Sequence, residues 1–281
     1  MRDNVHVRGM SEPLKPLTDA ERDACAQVFA RIALTAGRAV MDVYAGECAA
    51  RQKADASPVT EADERAEAII LRELAVVYPQ APVVAEESAS KGIVPTCGTR
   101  FILVDPLDGT REFLARNGEF TVNIALIDAG MPVAGVVYAP ALGKLWFGGA
   151  SAWTCAAEPG ADLPPQAQRR RIHARAPGAQ GLVALCSRSH ADAGTEDFLA
   201  AHRIAGRVNA GSSLKFCLIA EGEADVYPRF SPTMEWDIAA GEAVLRAAGG
   251  RVLTPEGAPL QYGKAAANYR NGDFVAWGRA G

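Results

Sequence analysis

Two apolar runs in this chain stop on acids, and that arrangement narrows the folds open to it more than any other feature. Val83-Val84-Ala85 runs into Glu86-Glu87, and Phe101-Ile102-Leu103-Val104 runs into Asp105 and, three residues on, Asp108. Each run reads as a short buried strand, and Gly109 marks the turn after the second. Neighbouring strands gather their ends along one edge of a sheet. Carboxylates crowded there in a partly buried setting would repel one another by several kcal/mol. The fold must bring something to that edge that neutralises them.

The rest of the chain supplies helices before these strands and an alternating pattern after them. The segment from Thr18 to Gly46 opens with Thr18 and Glu21 in capping-box spacing and carries Cys25, Val28, Phe29, Ile32, Ala36 and Val40 at helical intervals. A second helix starts at Thr60, with Asp63 three residues on; it shows Ala62, Ala66, Ile69, Ile70 and Leu74 to one side and stops at Pro79. Capping alone would explain Asp63. From Phe120 to Ala150 the pattern is a meander, with turns at Gly130-Met131-Pro132 and at Pro140. The stretch 156–171, rich in proline and charge, predicts a surface hairpin with Arg169-Arg170-Arg171 as its solvated end.

Beyond it, strands and helices alternate. The last helix covers 235–250 and is closed by Gly249-Gly250, and a closing strand follows over 251–255. The predicted fold is an α+β first half, 18–155, joined to an α/β second half, 156–281, behind a flexible tail over 1–17.

Composition excludes several classes. The chain has 281 residues, a net charge of −4 and 22% charged residues, so it carries no general nucleic-acid-binding surface. No apolar stretch reaches the roughly 18 residues of a membrane span, and Met1 to Pro16 lacks the apolar segment of a secretory signal. The cytoplasm is the expected compartment. The six cysteines are scattered without a CxxC pair, and there are four histidines, which argues against a zinc or histidine-rich metal centre.

A hard cation suits the acids better. Asp237, after Trp236, stands in the first turn of the helix over 235–250, as Asp63 does in its own. Mg²⁺ takes oxygen ligands, and carboxylates with a backbone carbonyl provide them. In Asp105-Pro106-Leu107-Asp108-Gly109-Thr110, proline fixes φ, both aspartates can face inward, and the Leu107 carbonyl lies between them. Gly109 lets the backbone come close, and Thr110 adds a hydroxyl. Two or more such ions, a few Å apart, would clamp both oxygens of a phosphoryl transfer.

In order and separation, EES, DPLDGT and EWDIAAGEAVL resemble signature segments of the lithium-sensitive, Mg²⁺-dependent phosphomonoesterases, the inositol monophosphatase superfamily. The resemblance runs from about Thr18 to the C-terminus. DPLDGTREFLARNGEFTVNIALI and GSSLKFCLIAEGEADVYPRFSPTMEWD are similar to the bacterial 3'(2'),5'-bisphosphate nucleotidases of the CysQ type within it.

The resemblance implies a layered αβαβα sandwich with two or three Mg²⁺ ions. It implies metal ligation by Glu86, Asp105, the Leu107 carbonyl, Asp108 and Asp237, with Glu87 in support. Thr110, with Glu86 or Asp63, would orient the attacking water, and the Gly109 and Thr110 amides would hold the phosphate. It further implies a small phosphorylated nucleotide, adenosine 3',5'-bisphosphate (PAP), cleaved to AMP and phosphate in sulfur assimilation. Its 5'-sulfated form (PAPS) would be a second substrate.

On the substrate side, Gly211, Ser212 and Ser213 precede a helix with Lys215 in its first turn; an ordinary serine cap explains the serines from sequence alone. The resemblance gives Ser212, Ser213, Lys215 and Arg229 to the nucleotide and its second phosphate, with Glu86, Leu107, Asp108 and Asp237 nearby. His190 would line the adenosine pocket; an exposed loop histidine fits equally. An inositol- or sugar-phosphate phosphatase would share the metal site, and a non-catalytic Mg²⁺-binding protein could share the fold. Monomer or homodimer, and attachment to the cytoplasmic side of the inner membrane, stay open, although no amphipathic anchor is visible.

Overall fold

The computed structural model describes residues 15–46, 51–52, 58–188 and 192–280. Most of the expected tail, and His190, lie outside them. Lys15 is already tied down, its carbonyl accepting Arg100 Nη2 at 2.8 Å.

Helix α1 (Asp19–Tyr44) starts on the predicted capping box, with the Glu21 amide donating to Thr18 Oγ1 and the Thr18 amide to Glu21 Oε2. A ribbon of β1 (Arg51–Gln52) and β2 (Pro58–Val59) leads to α2 (Glu61–Val77), which repeats the device with Thr60 and Asp63. The first sheet follows: β3 (Val83–Ala85), α3 (Glu86–Ser90), β4 (Arg100–Asp108), α4 (Thr110–Leu114), β5 (Thr121–Asp128), β6 (Met131–Ala139), β7 (Lys144–Gly148), β8 (Ala152–Ala156) and β9 (Arg170–Arg171). Its strands stand in sequence order; β3 runs parallel to β4 and all other pairs are antiparallel. The β5–β6 hairpin turns on Ala129 and Gly130, both at positive φ (50° and 77°), the conformation that matches strand twist in a two-residue loop.

The second half comprises β10 (Leu182–Ser187), α5 (Ala193–Ala200), β11 (Ile204–Ala210), α6 (Leu214–Ala220), β12 (Val226–Arg229), β13 (Thr233–Met234), α7 (Glu235–Ala247), β14 (Arg251–Leu253), β15 (Arg270–Asn271) and β16 (Phe274–Trp277). Its main sheet has the order β11-β10-β12-β16-β14. α1 and α2 pack on one face of the first sheet, α6 and α7 lie between the two sheets, and α5 covers the far side of the second. That is the predicted αβαβα sandwich.

Strands covered on both faces must be apolar throughout, and β4 shows it: Ile102 and Val104 join the core under α1 and α2, while Phe101 and Leu103 join the core around α6 and α7. α7 sits hard on the sheet because β6 offers glycine there. A Cβ on Gly135 would stand 2.8 Å from Ala243 Cβ and 3.0 Å from the Ala240 carbonyl.

One expectation is corrected: the strand over 251–253 forms, at the edge of the second sheet, but it is not the last one, since β16 follows it and inserts between it and β12. The stretch 156–171 leads from β8 to β9, where Arg170 and Arg171, both exposed, pair antiparallel with β8 as an edge strand. Arg170 also reaches the buried carboxylate of Glu221 at 2.7 Å, alongside Lys144. Among the described residues no helix is long and apolar enough to cross a membrane.

Candidate active site

Aspartates three residues apart on a regular strand would point to opposite faces. A bulge prevents that here. Asp105 pairs with Asn123 and Asp108 with Thr121, so two residues of β4 stand opposite the single Val122 of β5. Both acids are thereby turned to the face that α7 covers. The parallel register of β3 sets Ala85 beside Val104, which puts Glu86 level with Asp105. Asp237 arrives from the second half, in the first turn of α7, where its carboxylate accepts the Met234 amide at 2.7 Å.

Among the described residues no three such side chains are already drawn together as a ligand cluster. Each aspartate instead leans on a neutral donor. Asp105 Oδ1 accepts the Leu107 amide at 3.0 Å; Asp108 Oδ2 accepts Ser212 Oγ at 2.6 Å and Ser213 Oγ at 3.0 Å. Their charges still act on one another. Burial, then Glu86, Asp108 and Asp237, push the Asp105 carboxyl well above the usual carboxylate range. Burial, then Asp108 and Glu86, do the same to Asp237. A cation placed among these oxygens would reverse both shifts.

Asp63 turns out to hold two jobs. It closes the α2 capping box by accepting the Thr60 amide and hydroxyl, both at 2.7 Å. Its other oxygen accepts Thr110 Oγ1 at 3.4 Å, and the Leu107 carbonyl lies at 3.4 Å from the same hydroxyl. Thr110 follows Gly109, whose φ of 90° makes the sharp turn that ends β4 and starts α4. The Glu86-Glu87 turn is held by Glu67, which accepts the Glu87 amide at 2.7 Å and Ser88 Oγ at 2.6 Å.

A cleft of about 280 Å³ opens between the halves, and Glu86, Asp108, Gly109, Thr110 and Asp237 line it. Ser212, Lys215 and Arg229 line it from the second half. Lys215 is 4% exposed; its ammonium donates to the Ala210 and Ser212 carbonyls (3.1 and 2.6 Å) and lies 5.1 Å from the centre of the Tyr227 ring. Burial pulls its pKa down to about 8, although Asp108 opposes the shift. Arg229, 8% exposed, ends β12 and donates Nε to the Ser231 carbonyl at 3.3 Å.

Asp105, Leu107, Asp63 and Ser213 do not form part of the cleft wall; they stand behind it. Sequence reasoning missed Thr121 and Asn123, which meet the serines ahead of α6, as well as Glu67 and the cleft residues Arg111, Glu112 and Ser187. It also missed Glu119, which accepts the Gly211 amide at 2.8 Å while pairing with Arg188 through both carboxylate oxygens. For Thr121 and Asn123 there was a signal: both are polar residues inside the apolar run of β5.

The inositol monophosphatase family model matches residues 21–276, and the chain belongs to that family. Over 234 residues it is 46% identical to the 3'(2'),5'-bisphosphate nucleotidase CysQ of Escherichia coli K12, an alignment covering 83% of this chain and 91% of the relative. The same-named protein of Buchnera aphidicola is 39% identical, with 83% and 85% covered. CysQ from Bacteroides thetaiotaomicron superposes with a TM-score of 0.74 at 35% identity, over 92% of this chain and 98% of that one. An Anabaena inositol monophosphatase, at 24% identity and a TM-score of 0.70 over 92% of each chain, shares the fold.

Proposed function

We propose that this protein is a Mg²⁺-dependent 3'(2'),5'-bisphosphate nucleotidase that removes the 3'-phosphate of PAP, giving AMP and phosphate, in sulfur assimilation. PAPS, which would yield adenosine 5'-phosphosulfate, is the second substrate on this reading. The observation that carries it is that one cleft is lined both by acids and by two buried cations. Glu86, Asp108 and Asp237 share it with Lys215 and Arg229. A substrate with one phosphate at the acids and a second, separate phosphate uses both; an inositol monophosphate would leave the two cations without an anion. The names of the 46% and 39% identical relatives support the same choice.

The donor set fits Mg²⁺, being oxygen throughout: carboxylates of Glu86, Asp105, Asp108 and Asp237 and the Leu107 carbonyl, for two or three ions. Glu87, 2% exposed, backs Glu86. When bound, Mg²⁺ supplies the charge that neutralises the phosphate and acidifies water near neutral pH. The residues of the chain do the positioning. Thr110 gives its hydroxyl proton to Asp63 and so presents a lone pair to the attacking water, and Glu86 lines the same cleft. Water oxygen bonds to phosphorus and gives up a proton, the bond from phosphorus to the ribose 3'-oxygen breaks, and that oxygen takes up a proton in its place. The Gly109 and Thr110 amides hold the phosphate. Lys215, Arg229 and Ser212 hold the nucleotide end. Among the described residues the cysteines are free thiols, which supports a reducing cytoplasm.

The test is phosphate release, with Mg²⁺, from PAP and from inositol 1-phosphate side by side. A large preference for PAP is expected. A preference for the inositol ester would overturn the substrate assignment, and turnover of neither would favour a non-catalytic role.

A further inference from the structure

Asp108 and Asp237 come from opposite halves of the molecule, so something must set the distance between them. One hydroxyl touches both. Ser213 Oγ lies 2.7 Å from the Asp237 carbonyl oxygen and 3.0 Å from Asp108 Oδ2. It accepts Asn123 Nδ2 at 3.0 Å, and the same amide nitrogen stands 3.5 Å from Asp108 Oδ2. Asn123 and Ser213 are each 1% exposed.

We infer that Asn123 and Ser213 are positioning residues that fix the spacing of Asp108 and Asp237 across the two halves, and that Ser213 does not contact substrate. The inference rests on the reading of those two acids as metal ligands. A hydroxyl has one proton to give. Since Ser213 accepts from Asn123, it donates either to Asp108 or to the Asp237 carbonyl. Once a cation occupies the Asp108 oxygen, the proton goes to the carbonyl, and the first turn of α7 stays pinned to the first half through Asn123. Asn123 sits where the surrounding strand is apolar, and its Oδ1 is buried without a hydrogen-bond partner. An aliphatic residue would avoid that cost, so the amide is kept for what its nitrogen does.

The neighbouring serine shows the contrast. Ser212 holds a strained φ of 48°, lines the cleft, and braces Asp108 from the open side while its Oγ meets Thr121 Oγ1 at 2.6 Å. Ser212 faces substrate; Ser213 faces the frame.

The experiment compares wild type with Ser213→Ala, Asn123→Ala, the double variant and Ser213→Thr, using calorimetric Mg²⁺ titration together with kcat and KM for PAP. Near-ultraviolet circular dichroism checks that each is folded. Ser213→Ala should weaken Mg²⁺ binding by about tenfold, the usual cost of removing a partner behind the ligands. It should lower kcat at limiting Mg²⁺ and leave KM at saturating Mg²⁺ unchanged. Ser213→Thr, which keeps the hydroxyl, should restore binding, and the double variant should be no worse than Ser213→Ala because the two residues share one bond. A raised KM with unchanged Mg²⁺ affinity would overturn the inference and make Ser213 a substrate contact. Unchanged values in both would overturn it too. Failure of wild type itself to bind Mg²⁺ would show separately, as loss of the underlying metal reading.

Discussion

The acids and the cations of the cleft are held in different ways. The acids come from the junction of β3 with α3 at Glu86, the β4 bulge at Asp105 and Asp108, and the first turn of α7 at Asp237. Their mutual repulsion and burial raise Asp105 and Asp237, so without a cation they are poorly satisfied. Lys215, in the first turn of α6, and Arg229, at the end of β12, already donate to backbone carbonyls. On the proposed function the cations discriminate between substrates and the acids supply the chemistry.

The sharpest way to break that contrast is Asp108→Asn. It removes one charge without opening a cavity, and activity should fall by about a thousandfold, roughly 4 kcal/mol, with the fold intact. Near-normal turnover would refute the metal assignment. Lys215→Met or Arg229→Ala should cost less, about 10- to 100-fold in kcat/KM for PAP, the worth of a charged hydrogen bond. Residual turnover of inositol 1-phosphate should not change, and an equal loss on both substrates would mean that the two cations are not selective.

The acids and the cations should also part on pH. The raised acids must lose protons to bind a cation, so Mg²⁺ affinity should fall as pH falls, with proton release on binding visible by calorimetry in two buffers of different ionisation heat. Lys215, with a pKa of about 8, should lose its charge above that pH and raise KM for PAP, while Lys215→Arg should flatten the profile. Glu242 offers the mildest test. It lies on α7 like Asp237, but it accepts the Tyr262 hydroxyl at 2.7 Å, and burial pushes its pKa up to about 7 from 4.5. The folded state thus holds an extra proton between those values, and stability should decline as pH rises through that window. Glu242→Gln should remove that decline, seen as a few degrees in thermal melts near neutral pH, and leave Mg²⁺ binding untouched.

Much of the acid set was legible in the sequence, because a carboxylate ending an apolar run is conspicuous. Both capping boxes were legible too, being local. The bend at Pro106 let both aspartates be read as facing inward, but the bulge that puts Asp105 and Asp108 on one face depends on pairing with β5. Contacts such as Asn123 with Ser213, or Thr121 with Ser212, join residues about ninety positions apart. β16 escaped because only four residues, Phe274 to Trp277, carry it beyond the polar Asn271-Gly272-Asp273. Lys215 read as an anion-binding residue in a first turn, yet its depth and its place against Tyr227 come from the packing of α6 on β12.

The most direct test of the central claim is a crystal soaked in Mn²⁺, a cation suited to the same oxygen ligands, measured for anomalous scattering. The account predicts strong peaks bounded by Glu86, Asp105, the Leu107 carbonyl, Asp108 and Asp237. An acid edge without a peak, at Mn²⁺ concentrations that support turnover, would contradict it.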